Sequence, residues 1–221
     1  MQLYFMDLSE NTDPSRYDVL LSLLPAERQI EISGFRFAED RRLRVMADVL
    51  VRSRISHMLH VPFSDLQFGT NQYGKPHLID HPSVHFNISH TRNALAVGLA
   101  DEPLGIDVER ITQADIRIAR RAFTPDECAY VFADPQKQDE RFFQVWTQKE
   151  AYMKWTGSGF HMDPRKLDVM NQVGLLPDAR IHSIKIHDYY LSYCAAVESG
   201  HEDVRILSEK ELYNDCISIL P

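Results

Sequence analysis

From residue 38 to residue 60 the chain runs without glycine or proline, and Leu43, Met46, Ala47, Leu50 and Val51 recur at the spacing of one helical face. Such a segment has to form a long amphipathic helix, because a strand would scatter these residues over both of its faces. After Pro62 the pattern changes. Short apolar runs at 66–68, 84–88, 94–100 and 104–108 are too brief for helices and read as strands, close enough in sequence to pair antiparallel. Helical spacing returns at 115–123. Thr124-Pro125-Asp126-Glu127 then offers a capping residue, a proline at the first helical position and a glutamate at the third. A further helix is predicted over 140–156, stopping near Gly157 and Gly159, before strands at 189–197 and 204–207. At the start of the chain Tyr4, Met6 and Leu8 alternate with Leu3, Phe5 and Asp7 as an opening strand, and Asp13 before Pro14 begins a helix. Helices and strands that come in blocks predict an α+β fold instead of a doubly wound α/β sheet.

With 221 residues, 44% of them apolar, the chain can bury one large core or two small ones. A formal net charge of −8 argues against a general nucleic-acid binder, which needs a basic face for phosphates. Positive charge is nonetheless concentrated locally, in Arg36, Arg41, Arg42, Arg44, Arg52 and Arg54 and again in Arg117, Arg120 and Arg121. Either cluster can serve phosphates or an acidic partner, or be an ordinary solvated helix face. Cys128, Cys194 and Cys216 form no CxxC pair, which suits a reducing, cytoplasmic setting. No apolar run approaches the roughly 20 residues of a membrane span, and the alternating N-terminus does not read as a signal segment.

Three constellations carry chemistry, the third made of two segments. In Gly105-Ile106-Asp107-Val108-Glu109 a strand would project Asp107 and Glu109 from one side and Ile106 and Val108 from the other. Two carboxylates so close repel unless a proton or a cation intervenes, and magnesium takes oxygen ligands while leaving positions for phosphates. In Trp146-Thr147-Gln148-Lys149-Glu150-Ala151-Tyr152-Met153-Lys154 a helix aligns Trp146, Glu150 and Lys154 in one stripe with Lys149 beside it. Tyr73-Gly74-Lys75-Pro76 can present backbone donors and an ammonium to an anion, and Phe86-Asn87-Ile88-Ser89-His90-Thr91 adds a hydroxyl and an imidazole at a strand end. Alone, each is commonplace: surface acids, a Glu-to-Lys pair on a helix, a turn.

Together, in this order and at these separations, the fragments resemble the 4′-phosphopantetheinyl transferase family, specifically its larger Sfp-type members acting on peptide and polyketide synthetases. The resemblance runs from the Arg28 region through the Trp146 helix. It implies two similar α+β halves in pseudo-twofold arrangement, 1–103 with the nucleotide contacts and 104–221 with the metal site and carrier docking, and an active site in the cleft between them. It implies magnesium, or manganese in its place, held by Asp107, Glu109 and Glu150, with coenzyme A as co-substrate. Glu150 is then the base toward a carrier serine, directly or through a water, and Asp107 and Lys154 complete the catalytic group. Lys149 and Lys154 meet the transferring phosphate. Gly74, Lys75 and Pro76 lie at the adenine nucleotide and Ser89 and His90 at phosphates, with His90 at the 3′-phosphate, Arg28 at that end of the cofactor, and Arg44 as the substitute there for an arginine at 43. Glu31 stands where a second lysine is common and Leu43 where an arginine is common. The implied partners are apo acyl carrier or peptidyl carrier domains, with no nucleic acid or membrane, and the implied state is a monomer. Ile116 and Phe123 would either give the carrier apolar contacts, with Arg117, Arg120 and Arg121 meeting its acidic helix, or be core residues. The competing readings are a non-catalytic coenzyme A binder and a nucleotide pyrophosphatase using the same carboxylates.

Overall fold

A computed structural model describes residues 1–9, 13–157, 162–196 and 203–218. Gly159 and Val197, expected at a helix stop and a strand end, lie outside these residues. Helix α1 (Pro14–Ser22) follows strand β1 (Gln2–Asp7) and is capped by the Asp13 carboxylate, which accepts the Ser15 N–H, with Pro14 in the first turn. After α2 (Ala26–Ser33) comes the long helix α3 (Ala38–Leu59), whose predicted stripe buries Leu43, Met46, Ala47, Leu50 and Val51. It ends where His60 turns into the left-handed region at φ 55°, two residues before Pro62. The strand expected at 66–68 begins only at Phe68, because residues 63–65 make a 3-10 turn. Leu66 is buried, and its carbonyl accepts from Arg52 at 3.0 Å. Strands β2 (Phe68–Thr70) and β3 (Pro76–Leu78) form a small hairpin, followed by β4 (His85–Thr91) and β5 (Ala94–Ala100).

The remaining elements are β6 (Gly105–Arg110), α4 (Ile116–Ala122), α5 (Pro125–Phe132), α6 (Gln138–Thr156), β7 (Ala179–Ile186), β8 (Tyr189–Ala196), β9 (Val204–Ile206) and α7 (Glu209–Ile217). The protein is therefore α+β. An internal correspondence that the residues do not reveal appears in the topology. An opening strand, a long helix and an antiparallel hairpin occur twice, as β1, α3, β4–β5 and as β6, α6, β7–β8. The sheet orders match as well: β4-β5-β1 in the first half and β7-β8-β6 in the second. Between the two sheets Leu3 and Phe5 of β1 pack with Ala94 and Ala96 of β5, Ile106 and Val108 of β6, and Leu191 and Tyr193 of β8 in one buried cluster.

The end of the chain crosses back to the first half. Strand β9 pairs parallel to β1, extending the first sheet, and α7 follows it. Arg42 binds the buried Glu209 at 3.1 Å, and Arg54 binds Asp215 at 2.6 Å. Part of the first arginine cluster thus has an acidic partner within the chain, the closing helix.

Candidate active site

Strand β6 alternates as its sequence requires: Ile106 and Val108 enter the core between the sheets, and Asp107 and Glu109 face the other way. Helix α6 crosses that second face at very short range. A Cβ on Gly105 would fall 2.0 Å from the Ala151 carbonyl oxygen and 2.3 Å from the Trp155 nitrogen, so only glycine lets strand and helix approach this closely. Gly105→Ala should push α6 away from β6, lowering Tm by several degrees, which differential scanning fluorimetry reads.

The approach brings Lys154 and Glu150 to the β6 acids. The Lys154 ammonium donates to Asp107 Oδ1 at 2.7 Å and to Ser89 Oγ at 2.9 Å, and Ser89 itself donates to Asp107 Oδ1 at 2.7 Å. Thr91 Oγ1 donates to Glu109 Oε2 at 2.8 Å. Glu150 is buried, and burial first, then the charge of Asp107, pushes its carboxyl up to about 7. Burial and the neighbouring Asp107 likewise raise Glu109. The three acids therefore feel one another's charge where β4, β6 and α6 meet.

Among the described residues no three carboxylate, imidazole or thiol side chains are already gathered as a metal cluster. The donor set nevertheless fits a hard divalent cation. Asp107 Oδ2 and Glu150 Oε1 are both buried without a hydrogen-bond partner, a costly arrangement that a proton or cation would relieve, and the available donors are oxygens.

Lys149 goes elsewhere. One position before Glu150 on α6, it points away from the cleft, its ammonium fully buried at 2.7 Å from Glu127 and bonded to the Pro164 and Leu167 carbonyls. The expected phosphate contact is thus an internal anchor, because the helical step from Glu150 turns it toward α5. Trp146 of the predicted stripe packs in the layer of α4, α5 and α6, its ring stacked 6.3 Å from that of Phe142.

At the turn expected to meet the nucleotide, Gly74 takes φ 81°, the left-handed geometry that glycine tolerates. The Lys75 ammonium already donates to the Lys154 carbonyl at 2.6 Å and the Leu104 carbonyl at 3.1 Å, and burial lowers it to about 8. Lys75 and Pro76, with Phe86, Trp155 and Gly157, line a groove of about 450 Å³. Burial, then the charge of Arg44, holds the His90 imidazole below its ordinary value. His90 and Leu43 line a shallow pocket of about 310 Å³ that also carries Glu39 and Asp40. Arg44 stacks over Phe35 at 3.8 Å, and Arg28 is engaged by Asp48 at 2.6 Å and by Glu31. Of the residues expected to dock a carrier, Phe123 is 4% exposed and packs on Phe142 at 5.3 Å, so it belongs to the core. Ile116 is half-buried, and the exposed apolar residue of α4 is Ile118, beside the exposed Arg117, Arg120 and Arg121.

Sequence reasoning assigned no role to Asn87 and Thr91, although 87, 89 and 91 share one face of β4 by simple alternation. The Asn87 Oδ1 accepts the Ile106 N–H at 2.8 Å.

A strand-borne pair of acids set beside a helix-borne acid and lysine, where β4 of the first half meets β6 and α6 of the second, is an arrangement suited to handling a phosphoryl group. Comparison with known proteins agrees. The model of the 4′-phosphopantetheinyl transferase superfamily matches residues 103–206, and that of 4′-phosphopantetheinyl transferase, N-terminal, matches residues 11–103. The chain belongs to the 4′-phosphopantetheinyl transferase superfamily, in its Sfp-type branch, and is an enzyme of that class. It is 31% identical over 225 residues to 4′-phosphopantetheinyl transferase Sfp of Bacillus subtilis (strain 168), covering 96% of this chain and 100% of that one. It is 34% identical over 163 residues to 4′-phosphopantetheinyl transferase psf-1 of Bacillus pumilus, covering 72% and 70% of the two chains. No helix among the described residues is long and apolar enough to cross a membrane.

Proposed function

We propose that the chain transfers the 4′-phosphopantetheine moiety of coenzyme A to a serine hydroxyl of an apo acyl carrier or peptidyl carrier protein, with release of 3′,5′-ADP. The observation that carries this reading is the pair of buried carboxylates, Asp107 and Glu150, each with a partnerless oxygen, under the Lys154 ammonium. In the reaction the serine Oγ forms a bond to the β-phosphorus as the bond from that phosphorus to the bridging oxygen breaks, and ADP departs with that oxygen. The serine proton passes to Glu150, directly or through a water. Lys154 neutralises developing charge on the transferred phosphoryl oxygens. Magnesium, or manganese, held by Asp107, Glu109 and Glu150 would supply Lewis-acid neutralisation of the pyrophosphate. The backbone around Gly74, Lys75 and Pro76 is assigned to the adenine nucleotide, and Ser89, His90, Arg44 and Arg28 to the phosphates; residues 1–103 and 104–221 carry the nucleotide and the metal and carrier functions. The enzyme is assigned as a cytoplasmic monomer serving peptide and polyketide synthetases.

Incubation with coenzyme A, magnesium and an apo-carrier, read by intact mass, tests the reading. A carrier heavier by one phosphopantetheine plus 3′,5′-ADP supports it. ADP without a modified carrier indicates pyrophosphate hydrolysis, and neither product indicates a binder; both would overturn it.

Because His90 is held toward its neutral form with Arg44, Lys154 and Asp40 as its charged neighbours, a phosphate dianion placed there favours the imidazolium. Coenzyme A affinity should therefore rise as pH falls through the imidazole range and weaken above it. Calorimetric titration between pH 5.5 and 8 should show this for coenzyme A but not for 3′-dephospho-coenzyme A; equal slopes for both would remove His90 from the 3′-phosphate. For the carrier, charge reversal of Arg117, Arg120 and Arg121 should raise its KM by roughly tenfold or more and leave that of coenzyme A unchanged.

A further inference from the structure

We infer that Thr91 is a positioning residue for Glu109, the outermost member of a stripe on β4 through which the first half sets the carboxylates carried by the second. The inference rests on the reading of Asp107, Glu109 and Glu150 as metal-holding acids. Strands β4 and β6 belong to different sheets, each at the edge of its own. They meet at the seam between the halves through side chains. Asn87, Ser89 and Thr91 alternate along β4 and so share a face. Asn87 Oδ1 accepts the Ile106 N–H at 2.8 Å, and Ser89 Oγ accepts the Val108 N–H at 3.3 Å. These are the alternate amides that an edge strand offers to a neighbour, and here side-chain oxygens take them. The same stripe reaches the acids: Ser89 donates to Asp107 Oδ1 at 2.7 Å and Thr91 donates to Glu109 Oε2 at 2.8 Å.

Two consequences follow from the chemistry. A β-branched threonine is stiff at χ1, so its hydroxyl direction is fixed by the strand and not by a flexible stem. One hydrogen bond to one carboxylate oxygen orients the plane of the carboxyl and leaves the other oxygen for a cation. Partners that orient metal-holding side chains in this way typically account for 10- to 100-fold in metal affinity.

Manganese titration of the full-length protein without coenzyme A or carrier, with free metal followed by electron paramagnetic resonance, tests the inference apart from catalysis. Thr91→Val should weaken manganese binding roughly tenfold or more, while Thr91→Ser, which keeps the hydroxyl but not the stiff branch, should lose clearly less than Thr91→Val. Thr91→Ala provides a second variant without the hydroxyl, and thermal unfolding of each confirms that the fold survives. Unchanged affinity in Thr91→Val and Thr91→Ala overturns the inference. Equal losses in Thr91→Ser and Thr91→Val also overturn it, since the effect would then not follow the hydroxyl. A parent protein that binds no manganese would instead bring down the metal reading itself.

Discussion

A Lys149→Met variant should melt about 10 °C or more below the parent, yet bind coenzyme A with a KM within about twofold of it. The reason is the burial of the Lys149–Glu127 pair, both side chains wholly without solvent exposure and 2.7 Å apart. Removing one member of a buried ion pair strands the other, at about 3 to 5 kcal/mol, and each kilocalorie lowers Tm by roughly 2 to 4 °C in a chain of this size. Glu127 has further duties that keep it in place, accepting the Thr124 N–H and the Val169 N–H at 2.8 Å each. Neutralising both partners, as Lys149→Met with Glu127→Gln, should recover part of the loss. Chemical denaturation of the parent and of the single and double variants measures this. A Lys149→Met protein of parental stability and raised coenzyme A KM would return the side chain to the cleft and refute the assignment.

Glu150→Gln should cost transfer between about a hundredfold and ten-thousandfold, the range of a lost general base, while the protein keeps its circular dichroism and melting curve. The substitution preserves shape but deletes the charge of a buried carboxyl whose Oε1 has no partner. Stability should not suffer, because a neutral amide at an unpartnered buried site replaces a group that desolvation already disfavours as an anion. Retention of more than a tenth of the parental kcat at saturating magnesium would remove Glu150 from the proton transfer.

Much of this was legible in the residues because it is local. The stripe on α3, the cap at Thr124 and the alternation of β6 follow from spacing alone, and the four-residue interval that aligned Glu150 with Lys154 does place both in the site. What stayed hidden depends on partners far along the chain. Nothing near Lys149 indicates that a capping glutamate of α5 lies against it, and nothing near Phe123 indicates that Phe142 covers it. The arginines of α3 looked available because their partners Glu209 and Asp215 arrive with the closing helix. That helix did carry a readable signal: Ser208 and Glu211 form a reciprocal capping box. Strand β7 gave less, since its partly exposed, polar-studded alternation resembles a loop until β8 pairs with it. The correspondence of the halves is one of strand order, which residue identity does not record.

The return of β9 and α7 to the opening strand gives the molecule an interlocked character that its two-sheet plan conceals. Severing the peptide between residues 103 and 104 would not release two self-sufficient modules. The downstream fragment would carry off the strand that flanks β1, leaving the upstream fragment with an open edge ready to recruit foreign strands. Continuity of a single polypeptide is therefore what keeps both bodies finished and in register.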